Sequence, residues 1–112
     1  MQDLCHVKEV MKEIYSFEKE LREQSSLTIN EALVLCSLLN SDSSAGHLAS
    51  EIGLSPARMS KVLSSLEKRE LVVRSLGVRD KRIMEFKISN EGKKLITTLK
   101  EKKVKVPDFS VI

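Results

Sequence analysis

The stretch that decides the fold is LSPARMSKVLSSLEKRELVVRSLGVRDKRIMEFKIS, residues 54–89. Its first three residues place Ser55 before Pro56, a serine that can cap a helix followed by a proline suited to the first helical turn. A helix is therefore predicted from there to about Lys68. Apolar residues recur at helical spacing and are expected to face inward; they are Met59, Val62, Leu63 and Leu66.

The second part of this stretch has the pattern of a β-hairpin. Residues 71–76 and 81–88 are rich in β-branched and aromatic residues, and residues 77–80 between them contain Gly77 and Asp80. The apolar residues of the second strand alternate with charged ones, as in a half-buried strand; they are Met84, Phe86 and Ile88.

The residues before this stretch complete a helix-turn-helix. A short helix is predicted over residues 45–52, ending at Gly53, and the 56–68 helix follows it after a tight turn. Upstream, Thr28 and Glu31 have the spacing of a capping box, and residues 32–39 are apolar except for Ser37. That helix is expected to be buried on nearly all sides, and residues 40–44 to form a turn-rich connector.

The N-terminal helix, predicted from about residue 3 to residue 23, carries an apolar stripe on one side. The stripe comprises Leu4, Val7, Met11, Ile14 and Leu21. It is long for so small a protein to cover alone, so part of it is expected to pack against a second subunit. At the other end, Ser89 is predicted to cap a helix to about Lys103, and residues 104–112 an extended tail broken by Pro107.

Together these elements predict a mostly α protein with a small β-hairpin (α+β): a winged helix-turn-helix of about five helices and a two- or three-stranded wing. At 112 residues the chain is expected to be a single domain, 1–112. Within it, residues 1–26 form the N-terminal helix, 27–88 the helix-turn-helix and wing, 89–103 the C-terminal helix and 104–112 the tail.

The distribution of charge favours a polyanionic partner for one surface. Residues 54–88 carry nine Lys/Arg and four Asp/Glu, whereas residues 1–53 carry four and nine. No acidic residue lies between Ser55 and Ser65, although solvated helix surfaces usually mix charges of both signs. The outward face of the 56–68 helix is thus predicted to contact duplex DNA through Ser55, Ala57, Arg58, Ser60, Lys61, Ser64 and Ser65. The alternative is a plain solvated face.

The hairpin is predicted to be a second DNA-contacting element. Its cations and one acid are Arg74, Arg79, Asp80, Lys81 and Arg82. Arg82 is the favoured arm for the minor groove, and Asp80 is expected to orient Arg82 or Arg79 through a charge-assisted pair. Arg79 and Lys81 are expected to meet phosphates. The alternative is a surface hairpin with solvated charges.

Residues 54–74 resemble the recognition helix and first wing strand of the MarR family of bacterial regulators. The resemblance rests on Leu54-Ser55-Pro56, Met59-Ser60-Lys61, Leu63, Leu66-Glu67-Lys68-Arg69, Leu71-Val72 and Arg74, then on Asp80, Arg82, Ile88-Ser89 and Gly92, with Leu27-Thr28 upstream. It implies a homodimeric regulator on a pseudo-palindromic operator, often released by a small-molecule effector or an oxidant. By position it places Ser55, Arg58, Ser60 and Lys61 at the major groove and Arg82 at the wing site.

Two departures from that family pattern bear on the turn and on the dimer. Glu70 stands where the family usually has the glycine that ends the recognition helix. The chain stops about where the family adds a further C-terminal helix. The dimer is therefore expected to use the two terminal helices, through Leu4, Val7, Met11, Ile14, Leu95 and Leu99.

Other chemistry has little support in the sequence. Cys5 is a candidate redox thiol beside His6 and Lys8, with an inert cysteine as the more favoured interpretation, and Cys36 is expected to pack in the core. No local spacing suggests a metal site, a cofactor or an enzyme. With no membrane span and no signal peptide, a cytoplasmic location is predicted. The functional alternatives are a winged-helix module for protein contact and a thiol-based redox sensor using Cys5.

Overall fold

The computed structural model describes residues 4–77 and 80–101, and within them it has the predicted architecture of five helices and a small sheet. In chain order the elements are α1 (His6–Ser25), α2 (Ile29–Asn40), β1 (Ser43–Ser44), α3 (Ala45–Ile52), α4 (Pro56–Lys68), β2 (Val72–Leu76), β3 (Met84–Ile88) and α5 (Asn90–Glu101). The predicted winged helix-turn-helix is confirmed: α3 and α4 form the helix pair, and β2 and β3 form the wing.

Three helices begin at the hydroxyl caps that the sequence contains. The Thr28 hydroxyl accepts a hydrogen bond from the Glu31 amide at 3.2 Å, and the Glu31 carboxylate accepts one from the Thr28 amide at 2.8 Å, which completes the capping box. Ser44 caps α3, and Ser55 caps α4 by accepting from the Arg58 amide. Each cap satisfies a backbone amide that has no partner within the helix, and so fixes the residue at which the helix begins. The three starting points agree with the predicted ones within a residue or two.

The first helix is displaced along the chain relative to its prediction. It begins at His6 rather than near residue 3, because Leu4 and Cys5 form a tighter turn in which their carbonyls accept from amides three residues ahead. It continues to Ser25, two residues beyond the predicted end. Ser26 then takes a left-handed φ of 61°, and its amide closes the helix on the Arg22 carbonyl.

The sheet has a third strand where the sequence suggested only a connector. Its order is β1-β3-β2, all antiparallel, with Ser43 opposite Phe86 and Val72 opposite Ile88. The second wing strand begins at Met84 instead of residue 81, because the Ile83 amide donates to the Asp80 carbonyl and closes a turn there. The predicted strand was therefore too long by three residues at its start, and those residues belong to the turn.

The core lies between α2 and the elements packed around it. Its fully buried larger side chains are Leu27, Val34, Leu35, Leu48, Met59, Leu63, Leu66 and Val72. All four inward residues predicted for α4 contact this core, with Val62 partly buried. The expectation that residues 32–39 are buried on nearly all sides was wrong in one respect, since Leu33 is exposed on the outer side of α2.

The turn between α4 and β2 keeps a glycine-like conformation without glycine. Glu70 has a left-handed φ of 60°, and the Leu71 amide reaches back to the Leu66 carbonyl at 3.0 Å. The Ser89 hydroxyl donates to the Glu70 carbonyl at 2.7 Å and also accepts from the Gly92 amide, so it joins this turn to the start of α5. The predicted end of the last helix at Lys103 and the tail 104–112 lie outside the described residues.

Candidate nucleic-acid interface

The N-terminal half of α4 presents small and cationic side chains to solvent. The exposed residues on this side are Ser55, Ala57, Arg58, Ser60, Lys61 and Ser64. The opposite side of the same helix is buried against the core through Met59 and Leu63. Because no carboxylate lies on this part of the helix, its outward surface can approach phosphates and base edges without charge repulsion.

Ser65 was predicted to belong to this surface, and the structure gives its hydroxyl a different partner. Ser65 Oγ donates to Glu31 Oε2 at 2.7 Å, while the other oxygen of that carboxylate caps α2. Glu31 is only 5% exposed, so both of its oxygens need partners within the protein. The Ser65 side chain is exposed, and its hydroxyl is already engaged with α2.

The wing contains the orienting pair that the sequence suggested. Arg82 donates through Nε and Nη2 to the two carboxylate oxygens of Asp80, at 3.1 and 3.0 Å, and the Arg82 amide donates to the same carboxylate at 3.0 Å. These bonds hold the pKa of Asp80 below its usual value and raise the pKa of Arg82. The Arg82 side chain is 90% exposed, so it is held in one pose yet fully accessible.

Arg74 was predicted to contact DNA, and the structure shows that it already has a partner within the protein. Its Nε and Nη2 donate to the Glu67 carboxylate at 2.8 and 2.9 Å, and its guanidinium carbon lies 5.4 Å from the centre of the Phe86 ring. The paired carboxylate raises the pKa of Arg74. Arg74 and Arg82 are thus both paired with a carboxylate, whereas Lys81 is an exposed wing cation with no such pair among the described residues. Arg79 lies outside the described residues.

Two residues that hold the interface together were not predicted from the sequence. Glu67 binds Arg74 as described, and Arg69 donates to the Ser26 and Ser25 carbonyls at 3.1 and 3.0 Å, at the end of α1. Both belong to the quoted family-like stretch, but their partners come from other elements. Only the three-dimensional arrangement reveals those partners.

The predicted dimer residues divide into two groups. Leu4 is 84% exposed and Val7 about half exposed, while Met11 and Ile14 are partly buried, so the α1 stripe does offer apolar surface. Tyr15, which the stripe prediction left out, is also exposed beside it, and a groove there is lined by Leu4, Val7, Lys8, Met11, Lys12 and Tyr15.

The α5 members of the predicted dimer interface do not offer comparable surface. Leu99 is only 6% exposed because it packs in the protein's own core, so its assignment to the dimer interface was wrong. Leu95 is partly buried against the same core.

The candidate thiol and metal chemistry gains no supporting geometry among the described residues. Cys5 is exposed and Cys36 is partly buried, and both are free thiols. Within residues 4–77 and 80–101, no group of three His, Cys, Asp or Glu side chains is arranged to hold a metal ion. His47 is exposed and pairs with Glu51 one turn along α3, at 3.3 Å.

This arrangement of helix pair and wing is matched by the sequence profile of a known family. The MarR family profile matches residues 25–83, which is more than half of the chain and includes α4 and the first wing strand, β2. The chain belongs to the MarR family. No curated protein matches its sequence. None of the helices in the described part of this MarR-family chain is long and apolar enough to cross a membrane.

Solved structures of other proteins, two of them named as transcriptional regulators, share the fold at low sequence identity. The transcriptional regulator BldR from Sulfolobus solfataricus is 20% identical with a TM-score of 0.74, covering 90% of this chain and 78% of that one. AbsC, a MarR-family regulator from Streptomyces coelicolor, is 22% identical with a TM-score of 0.80, covering 88% and 68%. CouR from Rhodococcus jostii, solved bound to p-coumaroyl-CoA, is 24% identical with a TM-score of 0.76, covering 85% and 67%.

Proposed function

We propose that the protein is a sequence-specific duplex-DNA-binding transcriptional regulator, with α4 in the major groove and the wing at the minor groove. The observation that carries the proposal is the acid-free, exposed face of α4 over residues 55–64. A helix fits the major groove, and side chains near its N-terminal end can reach base edges. Arg58 and Lys61 are the cations in this proposal that would make those contacts.

The protein is further proposed to act as a homodimer on a pseudo-palindromic operator. The exposed apolar groove on α1, around Val7, Met11 and Tyr15, supports a second copy as the occupant, because isolated apolar grooves are unfavourable in water. A two-fold dimer reads two half-sites about one helical turn apart. An effector stays a prediction: CouR binds p-coumaroyl-CoA, and for this chain no ligand is assigned.

Selection from a pool of random duplexes with the purified protein tests both parts of this proposal. We expect enrichment of an inverted repeat whose half-sites lie about 10 base pairs apart, and binding that weakens steeply with salt as counterions are released. Enrichment of a single half-site would contradict the proposed homodimer but not the proposed sequence-specific DNA binding. Failure to enrich any duplex would contradict sequence-specific DNA binding itself and favour the alternative of a protein-contact module.

The role of the wing is tested by Arg82→Ala on the selected duplex. We expect weaker binding to all duplexes, with the largest loss on A·T-rich flanks. The slope of log affinity against log salt concentration should also become smaller by about one, because the variant lacks one cation close to the phosphates. Fluorescence anisotropy across a salt series measures both quantities. Unchanged affinity and slope would contradict the assignment of Arg82 to the groove.

A further inference from the structure

The carboxylate of Glu67 joins the end of the recognition helix to the wing. It lies in the last turn of α4, and both of its oxygens accept from Arg74 in the middle of β2, at 2.8 and 2.9 Å. A guanidinium and a carboxylate paired in this way share one plane as well as one distance. Glu67 is also the more buried partner, at 26% against 53% for Arg74. The link therefore restricts both sliding and rotation of β2 relative to α4.

An aromatic ring limits the guanidinium from a second side. Arg74 lies over the Phe86 ring, and Phe86 is its cross-strand partner in the wing. Phe86 is buried in the middle strand of the sheet, where it lies opposite Ser43 of β1 on one side and Arg74 of β2 on the other. The guanidinium is thus held between a helix on one side and the centre of the sheet on the other.

We propose that the Glu67–Arg74–Phe86 cluster sets the angle between α4 and the wing, and thereby determines how strongly the protein discriminates between A·T-rich and G·C-rich flanking sequence. The inference rests on the proposed function, in which α4 reads the major groove while the wing reaches the neighbouring minor groove. Minor-groove width depends on sequence, and a cation gains from a narrow groove only when it is positioned within it. Positioning to within about half an ångström requires support from residues that do not themselves touch the ligand.

The competing interpretation is that Arg74 leaves Glu67 and contacts a phosphate directly. The two interpretations differ in what Glu67 does. If the cluster positions the wing, removing either partner has the same consequence, because each is useful only through the other. If Arg74 contacts a phosphate, removing Glu67 frees it, so that binding is unchanged or tighter.

The test compares Glu67→Gln, Arg74→Lys and their double variant on two duplexes that share a half-site but differ in flanks, A·T-rich or G·C-rich. Glu67→Gln keeps the shape of the side chain and removes its charge, and Arg74→Lys keeps the charge and removes the planar fork. We expect each to lower the ratio of the two affinities by about threefold to tenfold, the effect of losing one modest readout contact. The double variant is expected to be no worse than either single one.

Lys87→Gln is the matched control. Lys87 follows Phe86 on β3, is exposed, and by strand alternation lies on the opposite face of the hairpin. The Lys87→Gln substitution removes a wing cation without changing the Glu67–Arg74–Phe86 cluster, so the ratio of the two affinities should stay as in the unmodified chain. The ratio is measured on one protein sample with both duplexes, which makes it independent of the folded fraction, and a general loss of stability would not change it.

An unchanged ratio in Glu67→Gln and Arg74→Lys overturns the inference while leaving the proposed function intact. So does tighter binding by Glu67→Gln together with an Arg74→Gln salt slope that falls by about one, since that pattern assigns Arg74 to a phosphate. If the unmodified chain selects no duplex at all, the proposed function fails first and the inference fails with it.

Discussion

The two halves of α4 are built for different tasks. In the N-terminal half, Arg58 and Lys61 extend into solvent, and among the described residues no side-chain hydrogen bond or ion pair holds them. In the C-terminal half, each polar side chain that bonds elsewhere reaches a different element: Ser65 reaches α2, Glu67 reaches β2, and Arg69 reaches the end of α1. One end of the helix is thus accessible and the other is fixed, which lets a rigid scaffold position a reading surface.

Substitutions in the accessible half of α4 are therefore expected to change DNA binding without changing stability. We expect Lys61→Ala or Arg58→Ala to weaken binding to a selected site, or to change its preferred sequence, by about 1–3 kcal/mol, the usual contribution of a good base contact. The free energy of unfolding should stay within about 0.5 kcal/mol, because both side chains are exposed and have no side-chain partner within residues 4–77 and 80–101. Anisotropy titrations and urea unfolding measure the two quantities.

Lys68→Ala is the control for this prediction, since it removes an exposed cation from the last turn of the same helix. It should affect binding less than Lys61→Ala does. If Arg58→Ala and Lys61→Ala both leave affinity and preference unchanged, another surface reads the DNA and the comparison fails at its accessible end.

Within the fixed half, Ser65→Ala should lower stability. Its hydroxyl bonds to a buried carboxylate at 2.7 Å, and removing the donor leaves Glu31 Oε2 without that partner in a site with little access to water. Hydrogen bonds to charged groups contribute more than neutral ones, so we expect a loss of about 2 kcal/mol in the free energy of unfolding. Urea unfolding at constant pH measures it.

Ser64→Ala is the matched control because Ser64 is exposed like Ser65, but within the described residues its hydroxyl makes no such hydrogen bond. Its effect should stay within about 0.5 kcal/mol, since alanine is also the better helix former. Equal effects at the two serines would mean that the Glu31 contact contributes nothing specific to the free energy of unfolding.

The difference between Ser64 and Ser65 also marks how far sequence reasoning extends in this protein. Local signals sufficed for the caps at Thr28 and Ser55, because a hydroxyl and the amide it satisfies lie three residues apart in the chain. The helix pair and hairpin followed from periodicity, and the Asp80–Arg82 pair from proximity.

The contacts that the sequence did not predict are those whose partners are distant in sequence or belong to another element. Ser65 meets a carboxylate 34 residues away, and Arg69 meets carbonyls more than 40 residues away. Arg74, predicted as a wing cation, pairs with Glu67 of α4. Leu99 has the spacing of an interface residue and lies in the core. Residue type and spacing alone carry no information about such partners.

A smaller effect is expected at Arg69, which fixes α4 to the end of α1. Its guanidinium donates to the Ser25 and Ser26 carbonyls, which have no amide partner within the helix. Arg69→Gln should therefore lower the free energy of unfolding by about 0.5–1 kcal/mol, as for a cation at a helix C-terminus. Thermal unfolding at low and high salt measures it, and the difference should shrink in high salt because the contact is exposed.

Lys68→Gln removes an adjacent exposed charge with no such bond and serves as the control. A loss at Arg69 that matches the Lys68 control would assign the effect to net charge. The fixed half of α4 would then have two such side-chain connections, to α2 and β2.

The smallest expected effect concerns the turn that ends the fixed half. Glu70 has a φ of 60°, a conformation that costs a side-chain-bearing residue about 1–2 kcal/mol relative to glycine. Glycine loses about 0.5–1 kcal/mol more conformational entropy on folding, so the two contributions largely cancel. Glu70→Gly should therefore raise the free energy of unfolding by about 0.5 kcal/mol.

Glu70→Ala removes the same carboxylate but keeps the cost of the left-handed backbone, so it should leave stability nearly unchanged. If both variants stabilise equally in urea unfolding, the charge of Glu70 and not its backbone limits stability at this turn. If only glycine stabilises, the residue that departs from the family pattern retains the family's backbone at a small cost.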